Sequence, residues 1–306
     1  MNLYKNIDDI PEFKNAVITI GSFDGVHLGH AEILRQLKQE AESINGEMVV
    51  ITFFPHPKQI IGSKDIFMLN TPAEKYSLLS AYGINHIVEI PFTRDFADIP
   101  ALEYISEFLV KNFKPHTIII GYDHRFGKNR CGDFRMLEIE SVKFDFVVKE
   151  IPKHVLQNIT ISSTAIRNAL LKGEVEKANE LLGYFYPLSG IVVQGDKRGR
   201  GIGFPTANIQ VHDTNKLIPG KGVYIVKVII DEKTYKGMLN IGSRPTFNGS
   251  NISIEVYILN FNESIYGKNI KVEFIKWLRP EIKFSGIDQL KQQLEEDKKN
   301  LTEYNF

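Results

Sequence analysis

Short β-branched runs alternate with helical patterns through the first half of this 306-residue chain, and this alternation limits the fold more than any other feature. Such runs are typical of parallel strands, because a parallel sheet is covered by helices on both faces. We therefore expect a doubly wound, Rossmann-like α/β domain whose ligand site lies where strands end and helices begin. The predicted strands are residues 16–20, 47–53, 86–90, 117–121 and 144–151.

Helical signals lie between and after these strands. Residues 71–74 form a capping-box pattern with proline at the first helical position, and Gly83 stops the helix that follows. Residues 161–167, Ile-Ser-Ser-Thr-Ala-Ile-Arg, open a later helix with hydroxyl residues suited to capping. Two further apolar helix faces consist of Leu34, Leu37, Ala41 and Ile44, and of Ile105, Leu109 and Phe113.

The second half contains strand patterns broken by Gly, Pro and Asn, and it predicts an antiparallel meander or a small barrel. Of these we expect a six-stranded antiparallel β-barrel, followed by an amphipathic helix from about Ser285. The pattern changes at residues 183–187, so the predicted domains are residues 1–183 and 187–306. Strand runs cover residues 188–194, 222–230, 235–242, 252–261 and 268–277, and the helix stripe is Ile287, Leu290, Leu294 and Leu301.

The charge balance limits the partners of this chain. Lys and Arg total 37, as do Asp and Glu, so no bulk field would gather nucleic acid or an anionic membrane. The polar first 13 residues predict no signal peptide, and no apolar run approaches the length that spans a bilayer. The single cysteine, Cys131, excludes internal disulfides and suggests a cytosolic protein. An incidental loop cysteine is favoured over a catalytic thiol.

The stretch from Gly21 to His30, GSFDGVHLGH, lies where the first predicted strand turns into a helix. Free N–H groups and the helix dipole favour an anion at such a turn. His27 and His30, at positions i and i+3, can point toward that anion. Either as imidazolium or as neutral imidazole, they would stabilise charge that develops on a phosphoryl group.

The HxGH pattern on this turn resembles the nucleotidylyltransferase superfamily, and residues 21–30 are similar to the adenylyltransferase module of bacterial bifunctional riboflavin kinase/FAD synthetases. Residues 52–57, 121–133 and 161–167 are similar to three further motifs of that module. The barrel half resembles the riboflavin kinase module, and the match covers essentially the whole chain. Its kinase motifs are residues 201–209, 222–224, 240–247, 254–261 and 279–284.

The resemblance implies that ATP adenylylates FMN to FAD in the first domain, with release of pyrophosphate and without a covalent enzyme intermediate. Phe54 and His124 depart from the family pattern, which usually has an acid and an aromatic residue there. The implied ATP-binding residues are Gly21, Phe23, Asp24, His27, His30, Ser163, Thr164 and Arg167, with His27, His30 and Arg167 as the catalytic ones. The implied flavin-binding residues are His56, Pro57, Asp123, Arg125 and Phe126.

In the second domain, residues 195–209 are rich in glycine and basic residues but do not form a Walker A loop. Thr206 and Asn208 lie two residues apart on a strand, so both face one side and suit Mg²⁺. The resemblance implies the same two metal ligands and phosphorylation of riboflavin to FMN by ATP. The implied ATP-binding residues are Gly195, Lys197, Gly201, Gly203, Pro205, Thr206 and Asn208, and the implied flavin-binding residues are Gly222, Tyr224, Arg279 and Phe284.

Glu255 lies inside a run that otherwise reads as a buried strand, where a carboxylate is unusual. The family match implies that Glu255 is the general base of the kinase, while the strand alternation alone also allows a glutamate on the solvent-exposed face of the strand.

A monofunctional FAD synthetase with a non-catalytic flavin-binding barrel, or an RNA-linked adenylyltransferase, stays an alternative. The expected partners are riboflavin, FMN and ATP alone, without nucleic acid or membrane. A weak homo-oligomer is left open, and the expected location is the cytoplasm.

Overall fold

The computed structural model describes residues 1–62, 66–152, 161–195, 198–246 and 249–304. The chain divides into two compact units, Met1–Ser163 and Thr164–Phe306. The first unit contains a parallel six-stranded sheet with helices, and the second contains a closed antiparallel barrel of six strands. Both predictions of fold class are therefore confirmed.

The sheet of the first unit has the strand order β1-β4-β3-β2-β5-β6, and all its neighbouring strands are parallel. Its strands are β1 (Asn2–Tyr4), β2 (Val17–Ile20), β3 (Met48–Phe54), β4 (His86–Pro91), β5 (Thr117–Gly121) and β6 (Val147–Ile151). The helices are α1 (Leu28–Ile44), α2 (Pro57–Ile61), α3 (Pro72–Ala81), α4 (Arg94–Ala97), α5 (Ala101–Glu103), α6 (Lys111–Phe113) and α7 (Phe134–Phe144), with a π-helical segment, Tyr104–Val110, between α5 and α6.

Both faces of this sheet are buried. Ile18 and Ile20 of β2 pack into one apolar cluster, and Val17 packs into the cluster on the opposite face. This alternation of side chains, with both faces apolar, is why the strands appear as continuous β-branched runs in the sequence.

The predicted start of α3 is confirmed. The Glu74 N–H donates to Thr71 Oγ1 at 3.2 Å, and the Thr71 N–H donates to Glu74 Oε2 at 2.9 Å. Pro72 occupies the first helical position, and Gly83 follows the helix with a φ of 79°. Local signals of this kind determine the helix ends without tertiary help.

Two predictions about the strands of this unit were incomplete. The polar N-terminal residues form β1, which pairs with β4 at the sheet edge, where a strand needs little apolar character. The last strand begins at Val147, although the pattern predicted a start at residue 144. Phe144 instead ends α7, which Asp133 caps, and Asp145 turns the chain with a φ of 54°.

The barrel of the second unit closes in the order β10-β11-β8-β7-β12-β9. Its strands are β7 (Pro187–Val193), β8 (Thr206–Gln210), β9 (Gly222–Ile230), β10 (Lys233–Thr246), β11 (Gly249–Ile258) and β12 (Asn269–Arg279). The remaining helices are α8 (Ser163–Leu171), α9 (Val175–Leu182) and α10 (Ile287–Glu303). Among the described residues, no helix is both long and apolar enough to cross a bilayer.

Helix α9 is bonded to the barrel. The Asn179 side chain donates to the Phe274 carbonyl at 2.8 Å and accepts the Tyr186 N–H at 2.8 Å. The division into compact units lies between Ser163 and Thr164, at the start of α8. The change in sequence pattern lies at residues 183–187, after α8 and α9. The domain boundary at residues 183–187 stays a prediction about independent folding.

Helix α10 packs its Leu301 against Phe204 of the barrel. Ile287 was predicted to belong to the same apolar stripe, but its side chain is 67% exposed. It is the first residue of the helix, one turn before the half-buried Leu290. That stripe prediction was therefore wrong at its N-terminal end.

Candidate active sites

The two histidines of the HLGH motif lie together at the N-terminus of α1. His27 is the N-cap of this 17-residue helix, and its Nδ1 accepts the His30 N–H at 3.3 Å. The two rings are stacked, with centroids 3.8 Å apart and planes 11° apart. Gly29 allows this arrangement, because a Cβ there would lie 3.2 Å from the His27 Cε1 and Nδ1 atoms. The arrangement presents two imidazoles beside the free N–H groups of a helix end.

His30 is a neutral imidazole near pH 7. Burial, and to a smaller extent the charge of His27, hold the pKa of His30 well below its usual value. Its Nδ1 is buried, and no hydrogen-bond partner for it lies among the described residues. The Phe23 ring packs against it at a centroid distance of 4.9 Å. Of the two protonation states open at the sequence level, the structure favours the neutral one for His30.

The turn between β2 and α1 has a strained backbone. Phe23 has a φ of 48°, Gly25 of 88° and Val26 of 34°. Only glycine adopts such angles without cost, so the turn must be held by its surroundings. Asp24 supplies part of that support, because its Oδ1 accepts the Leu69 N–H at 2.9 Å. The buried carboxylate of Asp24 thus contacts the backbone of the segment before α3, and its predicted role in binding ATP stays a prediction.

Ser163 begins α8, and its hydroxyl donates to the Asp24 carbonyl at 2.9 Å. This contact joins Ser163, the last residue of the first unit, to the turn that carries the histidines. Thr164 and Arg167 belong to the second compact unit, and Arg167 is 7% exposed. Their approach to ATP phosphates stays a prediction.

The predicted flavin-side residues His56 and Pro57 begin α2. His56 is the N-cap, with its Nδ1 accepting the Lys58 N–H at 3.1 Å and its own N–H donating to Gln59 Oε1 at 3.1 Å. Pro57 occupies the first helical position. Phe54, one of the two departures from the family pattern, is 51% exposed and leaves an apolar surface beside this helix.

The loop of residues 121–133 is anchored by Phe126. This ring is buried against Tyr104 at a centroid distance of 5.1 Å, and its backbone pairs with Gly132. Arg125 forms an ion pair with Asp133 at 3.2 Å, while Asp123 is exposed. The anchor keeps Phe126 in the core, and its contact with flavin stays a prediction.

His124, the second departure, is also neutral. Burial, followed by the charges of Arg130 and Arg125, lowers its pKa to about 4. Its Nε2 is buried, without a hydrogen-bond partner among the described residues. A neutral ring with an unused nitrogen differs from an ordinary aromatic side chain, because it can accept or donate a hydrogen bond.

In the barrel, the pairing of β8 with β11 brings the predicted kinase residues together. Asn208 lies opposite Glu255, and Thr206 lies opposite Tyr257. Partners across an antiparallel pair share one face, so these side chains project together. The Thr206 hydroxyl donates to Glu255 Oε2 at 3.3 Å. Three residues that were predicted from two separate motifs are therefore neighbours.

Glu255 lies on the half-buried face of β11. The alternate residues Ile254 and Val256 are 5% and 0% exposed and belong to the opposite, apolar face. The apolar run in the sequence suggested a carboxylate enclosed among apolar side chains. In the structure, the Glu255 carboxylate lies on the other, half-buried face. Asn240 of β10, the first residue of the kinase motif 240–247, lies on the other side of Glu255, but the sequence did not assign it an individual role.

The glycine-rich loop approaches this group closely. A Cβ on Gly195 would clash with the Asn208 amide, whereas no described atom lies within 4 Å of a Cβ built on Gly201 or Gly203. Gly203 also has a φ of 87°, which favours glycine. Lys197 lies outside the described residues, and Pro205 is exposed.

The oxygen atoms in this group fit Mg²⁺. Thr206 offers a hydroxyl, Asn208 an amide oxygen, and Glu255 a carboxylate, all on one face of two paired strands. Magnesium prefers hard oxygen ligands and binds through few protein groups when substrate phosphates supply the rest.

The predicted flavin side of the kinase lies around Gly222 and Arg279. Gly222 has a φ of 151°, and a Cβ there would lie 2.7 Å from the Trp277 Nε1. Tyr224 is fully buried, and its hydroxyl donates to the Gly220 carbonyl.

Arg279 forms a multidentate ion pair with Asp297 of α10. Its Nη2 lies 2.7 Å and its Nε 3.1 Å from Asp297 Oδ2, and its guanidinium is 6.0 Å from the Phe284 ring. Asp297 is 1% exposed and was not predicted as a site residue. The sequence did contain a signal for its burial, because Asp297 lies three residues after Leu294 and four before Leu301, on the same face of the helix.

Comparison with known proteins identifies two families along the chain. The model of the FAD synthetase family matches residues 9–165, and the model of the riboflavin kinase family matches residues 182–305. The two matched segments are consecutive, and each lies mainly in one of the compact units.

Curated relatives match nearly the whole chain. A protein of Listeria monocytogenes is 38% identical over 94% of this chain and 91% of its own length. A protein of Haemophilus influenzae is 40% identical over 93% and 92%, respectively. Both are named bifunctional riboflavin kinase/FMN adenylyltransferase.

A crystal structure from Streptococcus pneumoniae has the same overall fold, with a TM-score of 0.91, 34% identity and 99% coverage of both chains. It carries the description "macrolide-efflux protein". The names of the curated relatives and the two family models describe enzymes instead, and they agree with the motifs that the structure brings together.

Proposed function

The chain belongs to the family of bifunctional riboflavin kinases/FMN adenylyltransferases, and we propose that its two reactions are carried by the two residue groups described above. The chain phosphorylates riboflavin to FMN with ATP and adenylylates FMN to FAD. Adenylyl transfer is assigned to the HLGH turn of the first unit. Riboflavin phosphorylation is assigned to Thr206, Asn208 and Glu255 of the barrel.

At the HLGH turn, a phosphate oxygen of FMN attacks the α-phosphorus of ATP, and pyrophosphate leaves. Neutral His30 donates an N–H hydrogen bond to the phosphoryl oxygens, together with His27 and the free N–H groups of α1. Because His30 carries no charge, the positive charge is assigned to Arg167 and the helix dipole. The Ser163 hydroxyl is bonded to Asp24, so Ser163 and Thr164 contribute through the N-terminal N–H groups of α8.

In the barrel, Glu255 takes the proton from the ribityl 5′-hydroxyl as that oxygen attacks the γ-phosphorus of ATP. The hydrogen bond from Thr206 fixes the direction of the carboxylate. Because the Thr206 hydrogen points to Glu255, its lone pairs face away and can bind a metal ion together with Asn208. Mg²⁺ bound there would neutralise phosphate charge.

The remaining proposals concern partners and location. The protein acts on small molecules in the cytoplasm, without nucleic acid or membrane partners, and its copies associate weakly at most. A formal net charge of zero supports the absence of a nucleic acid partner, because nucleic acid binding depends strongly on Lys and Arg that neutralise phosphates.

The pairing of β8 with β11 is the observation that carries the kinase assignment, and substitution of Glu255 tests it. Glu255→Gln keeps the shape but cannot accept a proton, so kcat for FMN formation should fall by about 10²- to 10⁴-fold. Riboflavin and ATP affinities should stay within about tenfold, which is about 1.4 kcal/mol. Glu273→Gln is the control, because Glu273 is a barrel-strand glutamate that pairs with Lys271.

His30→Ala should show the opposite pattern, with loss of FAD formation and intact riboflavin phosphorylation. FMN and FAD are separated chromatographically after incubation with riboflavin, ATP and Mg²⁺. Kinase turnover near the wild-type value in Glu255→Gln would remove the general base from this residue. Equal loss of both activities in a folded His30→Ala chain would contradict the two-site assignment.

A further inference from the structure

A buried lysine lies below the HLGH turn. Lys75 of α3 is 7% exposed, and its Nζ donates to Thr52 Oγ1 at 3.0 Å. Thr52 is fully buried on β3. Lysine ammonium groups are almost never fully buried unless they are paired, so the burial of Lys75 indicates a specific role.

The hydrogen bond from Lys75 determines where Thr52 directs its own hydrogen. A threonine hydroxyl has one hydrogen and accepts through its lone pairs. Since Thr52 Oγ1 accepts from Lys75, its O–H is left to donate, and it does so to the Ser22 carbonyl at 3.2 Å. A protonated lysine therefore orders a chain of hydrogen bonds that ends on the first part of the turn.

The turn that receives this bond is the strained one. Phe23, Gly25 and Val26 all have positive φ, and such angles persist only when the surroundings hold them. Lys75 and Thr52 hold the turn at Ser22, while Asp24 is held through its side chain and its carbonyl.

The position of the turn is transmitted to the catalytic histidines. Phe23 follows Ser22 directly, is 1% exposed, and packs its ring 4.9 Å from the ring of His30. A shift of the Ser22 carbonyl would therefore move the Phe23 ring, against which His30 packs.

The charges around Lys75 do not fully compensate its burial. Asp24 of the turn and Glu89 of β4 face the ammonium and raise its pKa, but burial outweighs them and lowers it to about 8. Glu89 also accepts the Tyr76 hydroxyl and lies 4.0 Å from Lys5. A well-packed apolar side chain is often at least as stabilising as a buried ion at such a position.

We propose that Lys75 is a positioning residue for adenylyl transfer, which acts through Thr52 on the Ser22 carbonyl and so holds the turn that carries His27 and His30. This inference rests on the proposed function of the HLGH site. Lys75 does not contact substrate in this role, and Thr52 is the intermediate on which its effect depends.

The test compares Lys75→Met, Thr52→Val and the double variant in the full chain. We expect kcat for FAD formation from supplied FMN to fall about 10- to 100-fold in each single variant, because small displacements of reacting groups cost this much. The KM values for FMN and ATP should change less than about threefold. The double variant should lose no more than the larger single loss, because both residues act in one chain of contacts.

Two controls accompany these variants. Riboflavin phosphorylation by the same chain should stay at the wild-type level, which shows that the barrel is intact, and an unchanged far-ultraviolet circular-dichroism spectrum should show that the first unit, which contains Lys75 and Thr52, is folded. Tyr76→Phe removes the neighbouring bond to Glu89 but leaves the Lys75–Thr52 contact in place, so its kcat for FAD formation should be unchanged.

Wild-type kcat in folded Lys75→Met, or independent additive losses from the two single variants, would overturn the proposal. If Lys75→Met fails to fold, a wild-type kcat in Thr52→Val has the same consequence. Failure of the proposed function is a separate result, because it would appear as full FAD formation by His30→Ala.

Discussion

Gly195→Ala is expected to disable the kinase while leaving the protein folded. A Cβ on Gly195 would lie 2.6 Å from the Asn208 Cγ, about 0.8 Å short of the ordinary contact distance of 3.4 Å. The obstacle is the end of a side chain, so the amide can move away at small cost in folding free energy. The Nδ2 atom would be closer still to this Cβ, so the Asn208 amide would be displaced by at least about 0.8 Å from the face that it shares with Thr206 and Glu255.

A displacement of about 1 Å at a reacting group typically costs about 100-fold in rate. We therefore expect kcat for FMN formation to fall about 100-fold, which corresponds to about 2.7 kcal/mol in the activation barrier. High Mg²⁺ concentration should restore part of this activity, because Asn208 is proposed to hold the metal. FAD formation from supplied FMN should be unchanged.

The assay measures riboflavin-dependent FMN formation over a range of Mg²⁺ concentrations, together with FMN-dependent FAD formation. Gly201→Ala is the matched control, since its Cβ would meet no described atom within 4 Å and its φ is not positive. Its kinase activity should be close to that of the wild type. The reasoning is refuted if Gly195→Ala retains full kinase activity, or if Gly201→Ala loses as much activity as Gly195→Ala.

Four further predictions concern stability and pH. Asp297→Ala leaves the half-buried guanidinium of Arg279 without its carboxylate partner, while its bond to the Pro280 carbonyl stays, and it should destabilise the barrel by about 1–3 kcal/mol in denaturant unfolding. Since the pKa of His30 lies well below 6.5, the pH–rate profile of FAD formation should show no protonation of His30 between pH 8 and 6. Stability should nevertheless fall below pH 6.5, because the unfolded chain then binds a proton that folded His30 does not; His30→Ala should weaken this dependence. A fragment from Thr164 should melt at a higher temperature than one from Pro187, because only the former keeps α8 and α9.

The sequence predicted elements that local signals determine. The capping box at Thr71 fixes the start of α3 without help from distant residues, and β-branched runs mark the strands of a sheet that is buried on both faces. Strand β1 escaped prediction because it pairs at the sheet edge and needs little apolar character. The start of β6 was misplaced because residues 144–146 are apolar or flanked by apolar residues, although α7 ends at Phe144 and Asp145 is its C-cap.

The candidate sites were predictable as motifs but not as arrangements. The i, i+2 spacing of Thr206 and Asn208 indicated a shared face, whereas their proximity to Glu255 depends on the register between β8 and β11. No local pattern encodes that register. The sequence did not indicate a role for Lys75, because its burial and its contact with Thr52 arise only when α3 packs on the sheet.

The central claim is that one chain carries two separate active sites, and mixing two inactive variants tests it most directly. Glu255→Gln should make FMN at least about 100-fold more slowly than the wild type, and His30→Ala should make FMN but no FAD. When both variants are incubated with riboflavin, ATP and Mg²⁺, FMN released by His30→Ala should be converted to FAD by the intact first unit of Glu255→Gln. FAD should therefore appear after a lag that shortens as the His30→Ala concentration rises. Absence of FAD from the mixture, when each folded variant retains the single activity assigned to it, would contradict the account of two sites linked by free FMN. FAD made from riboflavin by either variant alone at the wild-type rate would contradict the residue assignments.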